Sequence, residues 1–337
     1  MTMKTLQDML DERGRAPISV APDDTVFRAL ELLAKHDIGA LLVISDGRLA
    51  GIFSERDYAR KVILLGKSSM ETRVREIMTE KVFCGLAGQT ADQVMALMNA
   101  RHIRHLPVVD DGQRVIGIVP IGDLVKETIE ELRQSRLETI QLLGRAVEFK
   151  DRETGQHVLR MSHYCKIIAV ALSGDELWAD RLFHAAAMHD VGKIGVPDRI
   201  LGKPDRLDPL EWEIMRRHAV FGGQILAGNT SDVLQMAREI AVSHHEYWDG
   251  SGYPHGLAGE EIPLSCRVVT IADVYDALTS ARPYKEAWEA GAAEDFIARN
   301  AGIFFDPDLV AVFLDQLTAI HAIRAKYAEP GGDRANG

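Results

Sequence analysis

An imidazole beside a carboxylate, His189-Asp190, closes the small apolar run Ala185-Ala186-Ala187-Met188 and is followed by Val191-Gly192-Lys193. Neighbouring side chains at a helix end point about 100° apart. The pair can therefore serve one metal centre only if other segments bring more ligands. Candidates stand on both sides: Glu153 and His157, then His218, His244-His245 and Asp273. Glu153 and His157 are four apart, hence on one face if that segment is helical. Asp273 interrupts the apolar Val268-Val269-Thr270-Ile271-Ala272, where a lone buried carboxylate is costly and a cation removes the cost. A donor set of imidazole and carboxylate without thiolate favours Fe, Mn or Zn over purely oxygen-ligated Mg or Ca. These eight residues are too many for one mononuclear site. Two ions need a bridging group, and Asp190, with an oxygen for each, is the natural one. Two ions ~3.5–4 Å apart suit in-line displacement at phosphorus. Lys193, three residues beyond Asp190, can aim an ammonium at the same phosphate; the plainer alternative is a solvated lysine after a glycine. Taken singly, each histidine is an ordinary partly buried residue, and the joint arrangement carries the reading. His163, His184, His255 and His321 are assigned to structure or surface, as are His36, His102 and His105.

The elements that must position these groups divide the chain. At 337 residues, two domains are the natural expectation. Eight of the twelve histidines fall between His157 and His255, which separates a histidine-rich C-terminal half. The net charge of −11 comes without a Lys/Arg run, so nucleic acid is not an expected partner. Cys84, Cys165 and Cys266 show no metal or redox spacing, which fits a reducing compartment. The N-terminus is polar and amphipathic, and no stretch approaches ~18 apolar residues, so no membrane span and a cytoplasmic location are expected.

The first half repeats itself. Thr25, Ile38, Leu41, Val43 and Asp46-Gly47 recur 65 residues later as Thr90, Ile103, Leu106, Val108 and Asp111-Gly112. After one inserted residue, Gly51-Ile52 and Asp57 recur as Gly117-Ile118 and Asp123. Each copy reads as helix, buried strand, turn, strand, helix. This half, from about Pro17 to Lys126, resembles a tandem pair of CBS domains. The resemblance implies that Ser54 and Asp57 of Gly51-Ile52-Phe53-Ser54-Glu55-Arg56-Asp57 bind the ribose of an adenosyl ligand such as AMP, ATP or S-adenosylmethionine. The alternative is that they cap a helix. In the second copy, Gly117-Ile118-Val119-Pro120-Ile121-Gly122-Asp123 keeps Asp123, but Pro120 replaces the hydroxyl residue. From Leu124 to about Lys150 the composition predicts a long helix. Ile129, Leu132, Leu143 and Ala146 lie on a seam broken by Arg136 and Thr139. A coiled-coil dimer and a connecting helix packed on the next domain both remain open.

Beyond it the pattern is helical almost throughout, with Asp208-Pro209-Leu210-Glu211 as the start of a helix whose end is expected at His218, after Arg216-Arg217. The intervals from Ile200 to Asp208 and from Asp249 to Pro254 read as loops. The segment from Arg136 to Ala287 resembles an HD-GYP domain, a family of metal-dependent phosphohydrolases that cleave cyclic di-GMP. The matching motifs are Glu153-Thr154-Gly155-Gln156-His157, His189-Asp190-Val191-Gly192-Lys193, the run from His244-His245 to Gly252-Tyr253-Pro254, and Ile271-Ala272-Asp273-Val274-Tyr275-Asp276. By resemblance all eight residues named above are metal ligands, Glu153 permits a third ion, Lys193 is catalytic with Asp190, and Arg282 and Lys285 hold the second phosphate. The implied fold is an N-terminal α/β CBS pair (1–126), a connecting helix (127–150), an all-α phosphohydrolase domain (136–328) and a disordered tail (329–337). The implied protein is a homodimeric cyclic di-GMP phosphodiesterase with two or three divalent ions, regulated by an adenine nucleotide. The alternatives are a phosphohydrolase for another nucleotide and a non-catalytic metal-containing sensor.

Overall fold

The computed structural model describes residues 4–14, 16–151, 155–280 and 286–328. Glu153, Arg282, Lys285 and the tail 329–337 lie outside the described residues. Two compact units emerge, Met1–Ser135 and Arg136–Gly337.

In the first unit the repeat in the sequence becomes a repeat in backbone. Strands Ser19–Val20, Ala40–Ser45 and Arg48–Ser54 form one three-stranded sheet, and Gly85–Leu86, His105–Val109 and Val115–Pro120 form another. In each, a parallel pair is followed by an antiparallel hairpin. Ala40 lies opposite Ser54 and His105 opposite Pro120. Both hairpins slip register once, at Val43/Ile44 and at Val108/Val109, positions 65 residues apart. In the first hairpin the turn is made by Asp46 and Gly47, both at positive φ (50° and 74°), the backbone a tight two-residue turn requires.

The helices that cover these sheets follow from their caps and apolar spacing. Thr25 accepts from the Arg28 N–H to start Val26–His36, whose Val26, Ala29 and Leu33 are buried against Leu41, Val43 and Phe53. In the second copy Val94 and Met98 cover Leu106, Val108 and Val119, joined by Leu6 from helix Leu6–Arg13. Burying each such aliphatic or aromatic side chain contributes roughly 1.5–3 kcal/mol. The last strand runs straight into helix Ile121–Glu148, 28 residues long, which begins in the first unit and ends in the second.

The second unit contains helices joined by turns and loops, with no strand beyond isolated bridges among its described residues. Helices Gln156–Ser173, Glu176–Ala186, Asp232–Ser243 and Leu264–Thr279 share one core, in which Tyr164, Leu182, Ile240, Val268 and Tyr275 are buried. Two expectations need correction. The stretch after Ile200 is not a loop from its start, because Asp198–Leu201 forms a short helix and Ile200 is buried. His218 does not end the helix that Asp208 caps, for that helix runs Pro209–Ile225 and carries His218 in its middle.

Candidate functional site

Each chemically active side chain owes its place to a local device. Helix Glu176–Ala186 stops at Ala186, and the chain turns through Met188 into a 3-10 turn, Val191–Gly195, led by Asp190. Gly192 lets that turn lie directly on helix Pro209–Ile225: an added Cβ would meet the His218 carbonyl oxygen at 1.8 Å and the Gly222 nitrogen at 2.4 Å. Asp190 thereby reaches His218. His244 and His245 follow the end of helix Asp232–Ser243. The Thr270 hydroxyl, on helix Leu264–Thr279, lies 2.8 Å from the His244 carbonyl and ties these two elements together. Gly252 brings the next loop back onto the same histidines, since a Cβ there would stand 2.5 Å from the His245 carbonyl oxygen. Tyr253 consequently stacks on His245 with ring centroids 4.7 Å apart, and Arg216 covers the tyrosine at 5.0 Å.

Two groups of side chains able to hold a metal ion result. Asp190, His218, His244 and His245 form one, and Glu148, His157 and His189 form the other; within each group the ligand atoms lie within 4.8 Å of one another. Asp190 touches both. Its Oδ2 is 3.2 Å from His189 Nε2, while its Oδ1 is 3.3 Å from His218 Nε2 and 3.6 Å from His244 Nε2. Asp273 Oδ1 is 3.5 Å from His157 Nε2. The structure thus gathers His157, His189, Asp190, His218, His244 and His245, with Asp273 alongside. Sequence reasoning missed Glu148, which is 1% exposed, and Asp276, whose carboxylate is 2.9 Å from His157 Nδ1.

The donor atoms fit divalent cations for a reason visible in the hydrogen bonds. His189, His218 and His244 place Nδ1 on the carbonyls of Ala186, Met215 and Ile240 at 3.1, 2.8 and 2.9 Å. A carbonyl only accepts, so Nδ1 carries the proton and Nε2 of the neutral ring is a lone pair. With the three rings neutral, as metal binding requires, three lone pairs face the oxygens of one carboxylate, acceptor against acceptor. His189 Nε2, His218 Nε2 and Asp190 Oδ1 are buried with no hydrogen-bond partner. A cation between them satisfies all of these atoms at once.

The electrostatics agree. Burial pushes the Asp190 carboxyl up, but the Lys193 ammonium and the His189 ring outweigh it and hold Asp190 well below the usual carboxylate range. Burial disfavours charge on His189, yet Asp190 raises it above its ordinary value, so positive charge is favoured between these two. Burial lowers His218 to about 4 and, with His244 beside it, holds His245 well below its usual value. Both rings are thus neutral, the form a metal binds. Lys193 Nζ lies 2.7 Å from Asp190 Oδ2. Asp276 is pushed up by burial and pulled down by Arg160 and His157 to about 2.

In the first unit, Ser54 and Asp57 form a reciprocal cap, with Ser54 Oγ 2.7 Å from Asp57 Oδ2. Asp57 Oδ1 also meets Lys61 Nζ at 2.7 Å and the Thr79 hydroxyl at 3.3 Å. Asp123, in the first turn of helix Ile121–Glu148, forms an ion pair with Arg13, which also donates to the Ile118 carbonyl.

Comparison with known proteins adds the following. The family model described as HD domain matches residues 133–309, and that described as CBS domain matches residues 14–63 and 74–130. The chain is 43% identical over 199 residues to the 3'3'-cGAMP-specific phosphodiesterase 2 of Vibrio cholerae serotype O1, covering 59% of this chain and 38% of that protein. It is 40% identical over 208 residues to the cyclic di-GMP phosphodiesterase response regulator RpfG of Xanthomonas campestris pv. campestris, covering 60% of this chain and 55% of that one. The chain therefore spans only 38% and 55% of the length of these two relatives. A solved structure of a protein with CBS domains from Burkholderia ambifaria MC40-6 is 47% identical over 38% of this chain and 95% of that one, with a TM-score of 0.36.

Proposed function

The chain belongs to the HD domain family and carries an N-terminal pair of CBS domains, and from that footing we propose that it is a metal-dependent phosphodiesterase acting on a cyclic dinucleotide, cyclic di-GMP first. The observation that carries this reading is the convergence of three imidazole lone pairs on Asp190, with the Lys193 ammonium on the same carboxylate. Bound divalent cations, Fe or Mn before Zn, supply Lewis-acid activation of water and neutralise charge at phosphorus.

The chain's own residues do the rest. Neutral His218 and His245, together with His244, would hold one ion; His157 and His189 would hold the other, with Glu148 and Asp273 supplying carboxylate. Asp190 presents one oxygen to each side, so it spaces the two subsites. Lys193 is held beside Asp190 and offers further N–H donors to a non-bridging phosphate oxygen as charge grows there. Arg282 and Lys285 hold the second phosphate, a role resting on resemblance alone, as does the contribution of Glu153 to a third ion. The CBS pair takes an adenine nucleotide or S-adenosylmethionine at Ser54 and Asp57, and a homodimer is the working assembly. Among the described residues no helix is long and apolar enough to cross a membrane.

Relatives named for cyclic di-GMP and for 3'3'-cGAMP stand at nearly equal identity, so cGAMP is the second substrate to try. The test is turnover of both dinucleotides by metal-analysed protein, with linear nucleotides as controls. Hydrolysis of cyclic di-GMP that is abolished by chelation and restored by Mn or Fe is expected. Preference for 3'3'-cGAMP moves the substrate, and metal-loaded protein inert toward every dinucleotide makes the chain a sensor.

A further inference from the structure

The imidazoles of the centre are not held alike. His189, His218 and His244 rest Nδ1 on backbone carbonyls. His157 instead faces a carboxylate, Asp276 Oδ2, at 2.9 Å. Asp276 is 1% exposed. Its oxygens are otherwise taken by Arg160, with Nε 2.7 Å from Oδ1 and Nη2 2.8 Å from Oδ2, and by the Ser280 hydroxyl at 3.3 Å. Arg160, 3% exposed, lies three residues after His157 on helix Gln156–Ser173, so the ring and the guanidinium share a face. Asp276 lies three residues after Asp273 on helix Leu264–Thr279 and sits opposite them. A buried ion pair is a costly thing to build, and replacing one with apolar side chains is often neutral or stabilising. Its position behind a single imidazole therefore calls for an account beyond stability.

We propose that Asp276 is a positioning residue for the subsite built on His157: it fixes the ring with the proton on Nδ1 and the lone pair on Nε2, and strengthens that nitrogen's hold on a divalent cation, while Arg160 keeps Asp276 in place. A carbonyl fixes a tautomer; a carboxylate also pushes electron density into the ring, making it a better donor. The two subsites are thus electronically unequal, and the difference lies in a residue that touches no ion. The inference rests on the metal-centre reading of His157, and the test separates the two.

Full-length protein, stripped of metal, is titrated calorimetrically with Mn(II), and the tautomer of His157 is read from nitrogen-15 shifts of labelled imidazoles. Wild type is expected to bind Mn(II) and to show His157 protonated at Nδ1. Asp276→Asn is expected to weaken one class of Mn(II) site 10–100-fold, to move the other less than threefold, and to mix the His157 tautomers. Because Asn leaves Arg160 buried without its countercharge, the double variant Asp276→Asn with Arg160→Gln is measured too, with the same loss expected and its fold checked by circular dichroism. Unchanged Mn(II) affinity in a folded variant overturns the inference, whatever the tautomer, and leaves the metal centre standing. A wild type that binds no Mn(II) overturns both.

Discussion

Gly192 and His218 are in contact through backbone: a methyl group on the Gly192 Cα would stand 1.8 Å from the His218 carbonyl oxygen. That approach lets Asp190 and His218 share a site although they come from different elements. Gly192→Ala is expected to push the Val191–Gly195 turn off its helix, at a cost of about 1–3 kcal/mol or more from overpacking. Metal content of the purified variant should fall sharply, and its melting temperature should drop by several degrees. A variant that retains wild-type metal would show that the contact does not position Asp190.

Removing metal should loosen the fold. A ligand that binds only the native state at 100 times its Kd stabilises by about 2.7 kcal/mol. Chelation followed by dialysis is therefore expected to lower the melting temperature of the helical unit, and added Mn(II) to restore it. His218→Ala should lose most of that response, as read in paired melts with and without metal.

Glu148 and Glu153 make separable predictions. Glu148 lies in a group with His157 and His189, so Glu148→Gln is expected to reduce bound metal by a fraction of an ion or more per chain. If Glu153 supplies a third ion, Glu153→Gln should remove that ion and spare the others. Elemental analysis of the two variants decides between the carboxylates.

The thiols should differ in reactivity. Burial pushes the Cys165 and Cys266 thiols up, the latter to about 12, and Cys84 is only partly buried. The thiolate is the reactive form. At pH 8 a disulfide reagent is expected to modify Cys84 alone in native protein and all three cysteines in denaturant. Rapid native labelling of Cys266 would place that helix outside the core.

What the sequence made legible follows from how each signal arises. The duplicated sheets could be read because a fixed spacing of 65 survives in apolar residues and turns alike, down to the matching register slip. His189-Asp190 and His244-His245 could be read because adjacent ligand types are uncommon and their flanking motifs specific. Glu148 was hidden by its company: helix Ile121–Glu148 also carries Glu127, Glu130, Glu131 and Glu138, and only burial marks the last one as different. Asp276 left a fainter trace, as a second carboxylate on the apolar helix that bears Asp273. The short helix Asp198–Leu201 escaped because four residues carry too little periodicity to register.

Within one of the two groups the side chains come from positions as far apart as Asp190 and His245, 55 residues along the chain (245 − 190). Closing a loop of that length costs conformational entropy that grows as ~(3/2)RT ln n. An ion gripping both ends would hold that loop closed in the native state, so its binding energy would become folding energy. The three cysteines form no disulfide, so such an ion would be the helical unit's staple, one that could be drawn out and replaced without breaking a covalent bond.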